Sequence, residues 1–324
     1  MAEHQADLDR DDALARVMAI VNDKGGVGKT SIAANMAGQM AAAGFQVLLV
    51  DLNRQANLSD DLGIRHTASN DDGRGLVQAI QYSEPFRPVR NVRERLDIVC
   101  GGTHLEMLTA LMITRVGNTG RDAYRVLGDV LVPIADDYDI TIIDTPPEST
   151  ILTDLALGAA RWVLMPTRSD AGGLIGMTLV AQRFQLARQI NPNISLLGAV
   201  LFGTGTRSVA IHNEVTARVS EAFGGSSPMF TAKIRLAEKT AQDARRLGKL
   251  AHELEEELAA QPAWWEALRT GRAAAPRLSS TAASVSADYR DLAMEVLDVL
   301  RAAEEAAMAE KEAEAETQKV AAAR

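Results

Sequence analysis

Cysteine is almost missing from this sequence: its 324 residues include one, Cys100. A lone thiol closes no internal disulfide and builds no cysteine-based metal cage, which fits a cytoplasmic setting. Long hydrophobic runs are missing too, and none approaches the ~20 apolar residues that span a bilayer. The acidic stretch Met1 to Arg16 has no apolar core of signal-peptide length. Positive charge is in deficit, with 34 Lys and Arg against 43 Asp and Glu and a formal net charge of −9. That argues against a general polyanion binder while leaving room for a local basic face. The five histidines are scattered without metal-ligand spacing. No convincing Ser/His/Asp arrangement and no internal repeat is present. What remains is ordinary globular material, 47% hydrophobic and 24% charged, long enough for a full core in one large domain or two smaller ones.

Short apolar runs alternate with helical segments. Val17 to Val21 reads as a buried strand, Asn22 to Gly28 as a Gly-rich loop, and Thr30 to Ala43 as an Ala-rich helix with Gly44 at its C-cap. Val47 to Val50 is a second buried strand ending at Asp51, completing a βαβ unit with parallel strands. Further strands are expected at Leu96 to Cys100, Ile140 to Ile143, Arg161 to Met165 and Leu196 to Phe202. Helices are expected at Gly120 to Ile134 and around Thr178 to Gln189. The pattern predicts an α/β fold, a doubly wound, mostly parallel sheet flanked by helices, with a C-terminal helical extension. Residues 65–75 read as a mobile loop. Glu253 to Gln261 reads as an acidic helix, Ala273 to Ala287 as a linker, and Leu292 to Ala302 as amphipathic with Leu292, Val296, Val299 and Leu300 on one face. Four parts are expected: a short extension over 1–16, the main domain over 17–250, a helical segment with linker packing on it over 251–302, and a charged Ala/Glu-rich tail over 303–324.

The Gly-rich loop carries the chemistry. A loop that wraps phosphates must bring backbone N–H groups onto oxygen atoms, and side chains would obstruct that approach. Gly25, Gly26 and Gly28 leave the path open, and the helix beginning near Lys29 aims its positive end at the same point. Lys29 is placed to reach the β- and γ-phosphates, and the Thr30 hydroxyl to ligand Mg²⁺. The usual spacing G-x-x-x-x-G-K-[ST] is broken at its first position, where Asp23 stands in place of glycine, and Lys24 follows it.

Lys24-Gly-Gly-Val-Gly-Lys-Thr-Ser31 is similar to the deviant Walker A motif of the ParA/MinD-type ATPases, and the likeness runs from about Val17 to Leu250 with a weak return near Tyr289 to Leu300. The resemblance implies ATP and Mg²⁺ as cofactors, with Lys24, Gly25, Gly26, Val27, Gly28, Lys29, Thr30 and Ser31 around the nucleotide. It also implies that Lys24 reaches across an ATP-dependent homodimer to the partner's phosphates. A second cation at the loop mouth makes sense where more negative charge must be neutralised.

Two further carboxylates stand at strand ends. Asp51 closes the second strand, within reach of Mg²⁺ or its water shell. Asp51-Leu-Asn-Arg-Gln-Ala-Asn57 is similar to the family's D-x-D-P-Q-x-N, with Asn53 for the second aspartate and Arg54 for the proline. In the family that aspartate positions the attacking water. An amide can accept a hydrogen bond from water but takes no proton near neutral pH, so slow hydrolysis is expected. Asp144 closes the run Ile140 to Ile143 and precedes Thr145-Pro-Pro-Glu148, similar to the family's D-x-P-P switch and suited to a Walker B role. Asp51 and Asp144, with Thr30, are the expected metal residues, and Lys24, Lys29, Asp51, Asn53 and Asp144 the expected catalytic ones.

Between 233 and 249 lie Lys233, Arg235, Lys239, Arg245, Arg246 and Lys249 against Glu238 and Asp243. Such a local excess can track phosphates without regard to sequence, and Lys233, Arg235, Arg245, Arg246 and Lys249 are the candidate DNA-binding residues. Ile234 to Glu238 resembles a family segment near the adenine and the DNA-facing surface, but Lys239-Thr-Ala-Gln242 stands where the family has proline and serine. Trp264-Trp265 reads as packing a helix onto the body. Taken with these features, the resemblance implies a DNA-partition ATPase that dimerises on ATP, binds DNA non-specifically and is reset by a ParB-type centromere-binding adaptor, cytoplasmic and nucleoid-associated, with no membrane partner. The stretch before the first strand is too short for a helix-turn-helix domain. A MinD-like membrane-cycling ATPase is the alternative, but it needs a basic amphipathic C-terminal helix, and Ala303 to Arg324 is Ala/Glu-rich without aromatics. A redox relative would need cysteines, and a small-molecule ligase would have no use for Lys24 in trans.

Overall fold

Eight strands form one sheet among the residues that the computed structural model describes, 2–147, 149–168, 171–204, 209–222, 229–260 and 279–322. They are β1 (Val17–Ile20), β2 (Val47–Asp51), β3 (Val89–Arg93), β4 (Leu96–Val99), β5 (Ile140–Asp144), β6 (Trp162–Thr167), β7 (Ser195–Thr204) and β8 (Met229–Arg235). Their order is β3-β4-β2-β5-β1-β6-β7-β8, parallel except for the β3–β4 pair. The chain leaves β1, passes through α2 (Lys29–Ala42) and lands on β2, with β5 filling the place between them. Strand order therefore reverses around β1, and the loop after β1 opens into the crevice that such a reversal creates.

β1, β2, β4 and β5 are buried along their whole length, because helices cover both faces of the sheet. Alternate residues feed two cores. Val17 and Ala19 join Leu48, Val50, Leu105, Leu127, Leu155 and Val163 on one face. Met18 and Ile20 join Leu49, Ile142, Ile32, Met36 and Met40 on the other. Each such aliphatic side chain contributes about 1.5–3 kcal/mol when removed from water.

The terminal segments are built into these cores. Residues 2–13, expected only as an extension, form α1 (Ala2–Ala13). Its Arg10 is buried and donates to Asp129 Oδ1 at 2.9 Å and to the carbonyls of Arg125 and Gly158 at 3.1 Å, which fixes α1 on α6 (Val126–Ala135). The last described helix, α12 (Ala282–Ala322), lays Tyr289, Leu292, Val296 and Leu300 on the α2 side of the sheet. Residues 282–287, expected in a linker, are thus its first turns; residues 273–278 and Trp264-Trp265 lie outside the described residues. Glu295 accepts the N–H groups of Thr231 (2.8 Å) and Ala232 (3.0 Å), and Asp288 that of Arg235 (2.9 Å). These carboxylates cover part of the ladder edge that β8, at the end of the sheet, would otherwise expose. The segment expected to be a mobile loop is tied down, since Asp72 accepts from the Thr103 N–H at 3.1 Å and from its hydroxyl.

Candidate active site

The loop after β1 is shaped by its own polar groups. Asn22 anchors it to β6 by donating to the Pro166 carbonyl (2.8 Å), and its side-chain oxygen accepts the Lys24 N–H (2.8 Å). Gly26 and Gly28 have φ of 75° and 87°, in the left-handed region. Gly28 is also the N-cap of α2, and a Cβ there would collide with the Phe202 ring from the end of β7. Gly28 thus serves both backbone shape and close approach. The Lys29 ammonium is buried and donates to the carbonyls of Asn22 (2.7 Å) and Lys24 (3.1 Å). A cavity of about 460 Å³ opens over this loop, lined by Gly25 to Ser31 and by Asn53, Thr145, Pro147, Phe202 and Arg245. Beside it a second hollow of about 220 Å³ is lined by Asn35, Asp61, Arg168, Phe202 and Tyr289, among others.

Sheet register brings the two expected acidic residues together. Asp51 and Asp144 are Cα partners across β2 and β5, and Asp144 is also the partner of Ile20 at the end of β1. Both are fully buried. The Thr30 hydroxyl donates to Asp144 Oδ2 at 2.6 Å, and the Asn53 N–H to Asp51 Oδ1 at 2.8 Å. The other oxygen of each carboxylate, Asp51 Oδ2 and Asp144 Oδ1, is buried with no hydrogen-bond donor among the described residues. Burial, and then the neighbouring Asp144 charge, pushes Asp51 well above the ordinary carboxylate range. Burial raises Asp144 to about 7, although the Thr30 hydrogen bond and the Lys29 ammonium work the other way. Two adjacent buried carboxylates with orphaned oxygens, beside a threonine hydroxyl, form a hard oxygen donor set that fits Mg²⁺ and its waters.

Asn53 lines the cavity, and its side-chain oxygen accepts the Gln55 N–H at 3.0 Å. Because only an oxygen can accept that bond, the amide nitrogen is left on the other branch. Arg54 points away and pairs with Glu106 on α5 (Leu105–Thr119) at 2.9 Å. Glu148 lies outside the described residues.

A family profile described as "AAA domain" matches residues 15–196. The chromosome partitioning protein ParA of Myxococcus xanthus is 33% identical over 206 residues, covering 62% of this chain and 70% of that protein. The chain belongs to the ParA/MinD-type P-loop ATPases. Solved structures agree on the fold. The ATP complex of a McdA variant from Cyanothece superposes with a TM-score of 0.67 at 19% identity, covering 87% of this chain and 96% of that one. Cobyrinic acid a,c-diamide synthase from Mycobacterium smegmatis, with a bound ATP analog and magnesium, superposes with a TM-score of 0.58 at 25% identity, covering 82% and 99%.

Away from the P-loop, this ParA/MinD-type chain places its basic segment differently from a simple count of charges. Arg235 ends β8 and forms a two-pronged pair with Asp288 of α12, both contacts at 2.7 Å. On α10 (Glu238–Leu247), Arg245 pairs with the buried Asp61 at 3.1 Å and Arg246 with Asp243 at 3.1 Å. Lys249 pairs with Glu257 at 2.7 Å. Asp61, Glu257 and Asp288 come from outside the segment, so part of its positive charge is matched by acids beyond 233–249. Lys233 is half-buried on β8 and Lys239 is exposed. Phe202, Arg168 and Asn22 belong to the nucleotide end of the sheet, yet only Asn22, a polar residue closing a buried strand, carried a signal in the sequence.

Proposed function

We propose that the chain is a ParA-like DNA-partition ATPase that binds MgATP, pairs with a second copy while ATP is bound, and then associates with DNA without sequence preference. The observation that carries the reading is the P-loop cavity with its buried Lys29 and with Thr30 bonded to Asp144, next to the half-satisfied carboxylates of Asp51 and Asp144, in a chain whose relatives include chromosome-partitioning ParA.

Each residue has a task that follows from its position. The backbone N–H groups of Gly25 to Thr30 and the N-terminus of α2 receive the phosphate oxygens. Lys29 exchanges its two carbonyl partners for the β- and γ-phosphates, so its ammonium stays satisfied in both states. Thr30, Asp51 and Asp144 would hold Mg²⁺, directly or through water. When bound, that ion neutralises charge on the phosphates. Lys24, at the start of the loop, reaches the phosphates of the second copy. Asn53 stands where a hydrolytic water would be oriented, but its oxygen is already engaged by Gln55 and its amide takes no proton. Turnover is therefore slow until a partner acts on the site.

DNA association is assigned to the outer face of α10 with Lys233 and Lys239. Arg245, Arg246 and Lys249 are themselves 39–54% exposed, so each can offer its remaining N–H groups to phosphate while keeping its carboxylate partner. Arg235, held more deeply by Asp288, is better suited to fastening α12. The test is DNA binding with ATP, ADP and no nucleotide across a salt series. Binding that needs ATP and strengthens as salt falls supports the reading; binding indifferent to nucleotide refutes it.

A further inference from the structure

The residue that breaks the usual P-loop spacing, Asp23, has a specific partner. Its carboxylate lies 3.3 Å from Arg183 Nε, and both side chains are largely buried. Arg183 stands on α8 (Ala171–Ala187), held rigidly because Val180, Phe184 and Ala187 are packed into the core. The same guanidinium donates from Nη2 to the Thr150 hydroxyl at 3.2 Å and lies 3.7 Å from Asp154. Thr150 and Asp154 belong to α7 (Thr150–Ala159), which begins directly behind Asp144-Thr145-Pro146-Pro147. One side chain therefore joins the residue before Lys24 to the segment behind Asp144. The two segments are also close at their tips, where a Cβ on Gly25 would lie 3.9 Å from that of Pro147. Among the described residues, Asp23 Oδ1 and Arg183 Nη1 are buried without hydrogen-bond partners, so the junction is incompletely satisfied there and has bonds to gain if the segments shift.

We propose that Arg183 is a positioning residue that locks the phosphate loop to the segment behind Asp144 and thereby sets the preference for a triphosphate over a diphosphate. The inference rests on the ATP-site reading above. A diphosphate engages mainly the loop. A γ-phosphate must be met from both sides, by the loop with its lysines and by Thr145 to Pro147. A tie between the two sides favours the ligand that needs them at a fixed separation, and it does so only through that differential contact.

The experiment measures dissociation constants for fluorescent ADP and ATPγS, with Mg²⁺, in the full chain and in Arg183→Gln, Asp23→Asn, their double variant and Asp154→Asn. The ratio of the ADP to the ATPγS constant is expected to fall about tenfold in Arg183→Gln, a size usual for coupling between neighbouring elements. It is expected to fall less in Asp23→Asn, and in the double variant no further than in Arg183→Gln. Asp154→Asn, which leaves the Asp23 and Thr150 contacts in place, is expected to keep the ratio of the parent. A change in general stability would scale both constants and leave the ratio alone. An unchanged ratio in folded Arg183→Gln, or effects of Arg183→Gln and Asp23→Asn that multiply, overturns the proposal. Should Arg183→Gln fail to fold, Asp23→Asn decides on the same ratio. A parent chain that binds neither nucleotide overturns the ATP-site reading as well, which separates the two failures.

Discussion

At the carboxyl ends of β2 and β5 the carboxylates are buried and only half satisfied, whereas along β8, α10 and α12 the charges are more exposed and mostly matched. Asp51 and Asp144 each keep an oxygen that no described residue satisfies, but Arg235, Arg245, Arg246 and Lys249 each have a carboxylate within 3.1 Å. A buried group without a partner is costly and points to something the chain must bind. A surface charge with a partner has an account inside the fold and says much less about ligands. The nucleotide end is therefore the better-supported functional surface, and the basic segment is partly a fastening for the C-terminal helix.

That contrast can be broken at several points. The largest effect is expected from Lys29→Ala, which removes the one buried ammonium of the loop; isothermal titration should show MgATP affinity falling at least about 100-fold, two charge-assisted hydrogen bonds being lost. Retained affinity would mean the loop does not hold phosphates. Next, Arg235→Ala leaves Asp288, with 11% of its side chain exposed, without its cation. Denaturant unfolding should show a loss of about 2 kcal/mol, with the salt slope of DNA binding unchanged. A reduced slope with unchanged stability would return Arg235 to the DNA face.

A smaller effect is expected from Asn53→Asp, which keeps the turn to Gln55 and places a carboxylate oxygen on the branch now occupied by the amide nitrogen. Steady-state turnover should rise about tenfold or more if a positioned acceptor is what the site lacks; no rise would clear Asn53 of limiting the rate. Metal-free protein should also lose stability as pH rises. Asp144 binds its proton more tightly folded, at about 7, than at its ordinary 3.8, so the folded state carries the extra proton between these values. Stability is then fullest below the lower value and declines through the higher one. Thermal melts across that window should show the decline, and Mg²⁺ with nucleotide should flatten it. A melting temperature that climbs over the same window would contradict the orphaned-carboxylate reading. The smallest effect belongs to Arg246→Ala: Arg246 is 54% exposed, and the buried Asp243 keeps the Ser279 N–H as a donor, so stability should move by no more than about 1 kcal/mol, with DNA binding less steep in salt.

The sequence made the nucleotide end legible because its parts are contiguous. Lys24 to Ser31 form one loop, and Asp51 and Asp144 each close an apolar run that only a covered parallel strand explains. β3 and β8 were not anticipated, since Val89–Arg93 and Met229–Arg235 lie at the edges of the sheet and alternate with polar residues. α1 was hidden by its acidic composition, although Arg10 finds three acceptors on or beside α6 once the chain folds. Phe202 over Gly28 and Arg183 beside Asp23 depend on strands and helices more than 150 residues apart along the chain, and no local pattern encodes such meetings. Asp288 lies 53 residues beyond Arg235, too far for a charge count over 233–249 to include it.

The claim that a triphosphate joins two copies through Lys24 is tested most directly by light scattering on the purified chain. With Mg²⁺ and slowly hydrolysed ATPγS, the parent should move from the monomer mass to twice that mass, and Lys24→Ala should bind the nucleotide yet stay monomeric. A parent that remains monomeric at saturating nucleotide, or a Lys24→Ala variant that pairs as well as the parent, would contradict it.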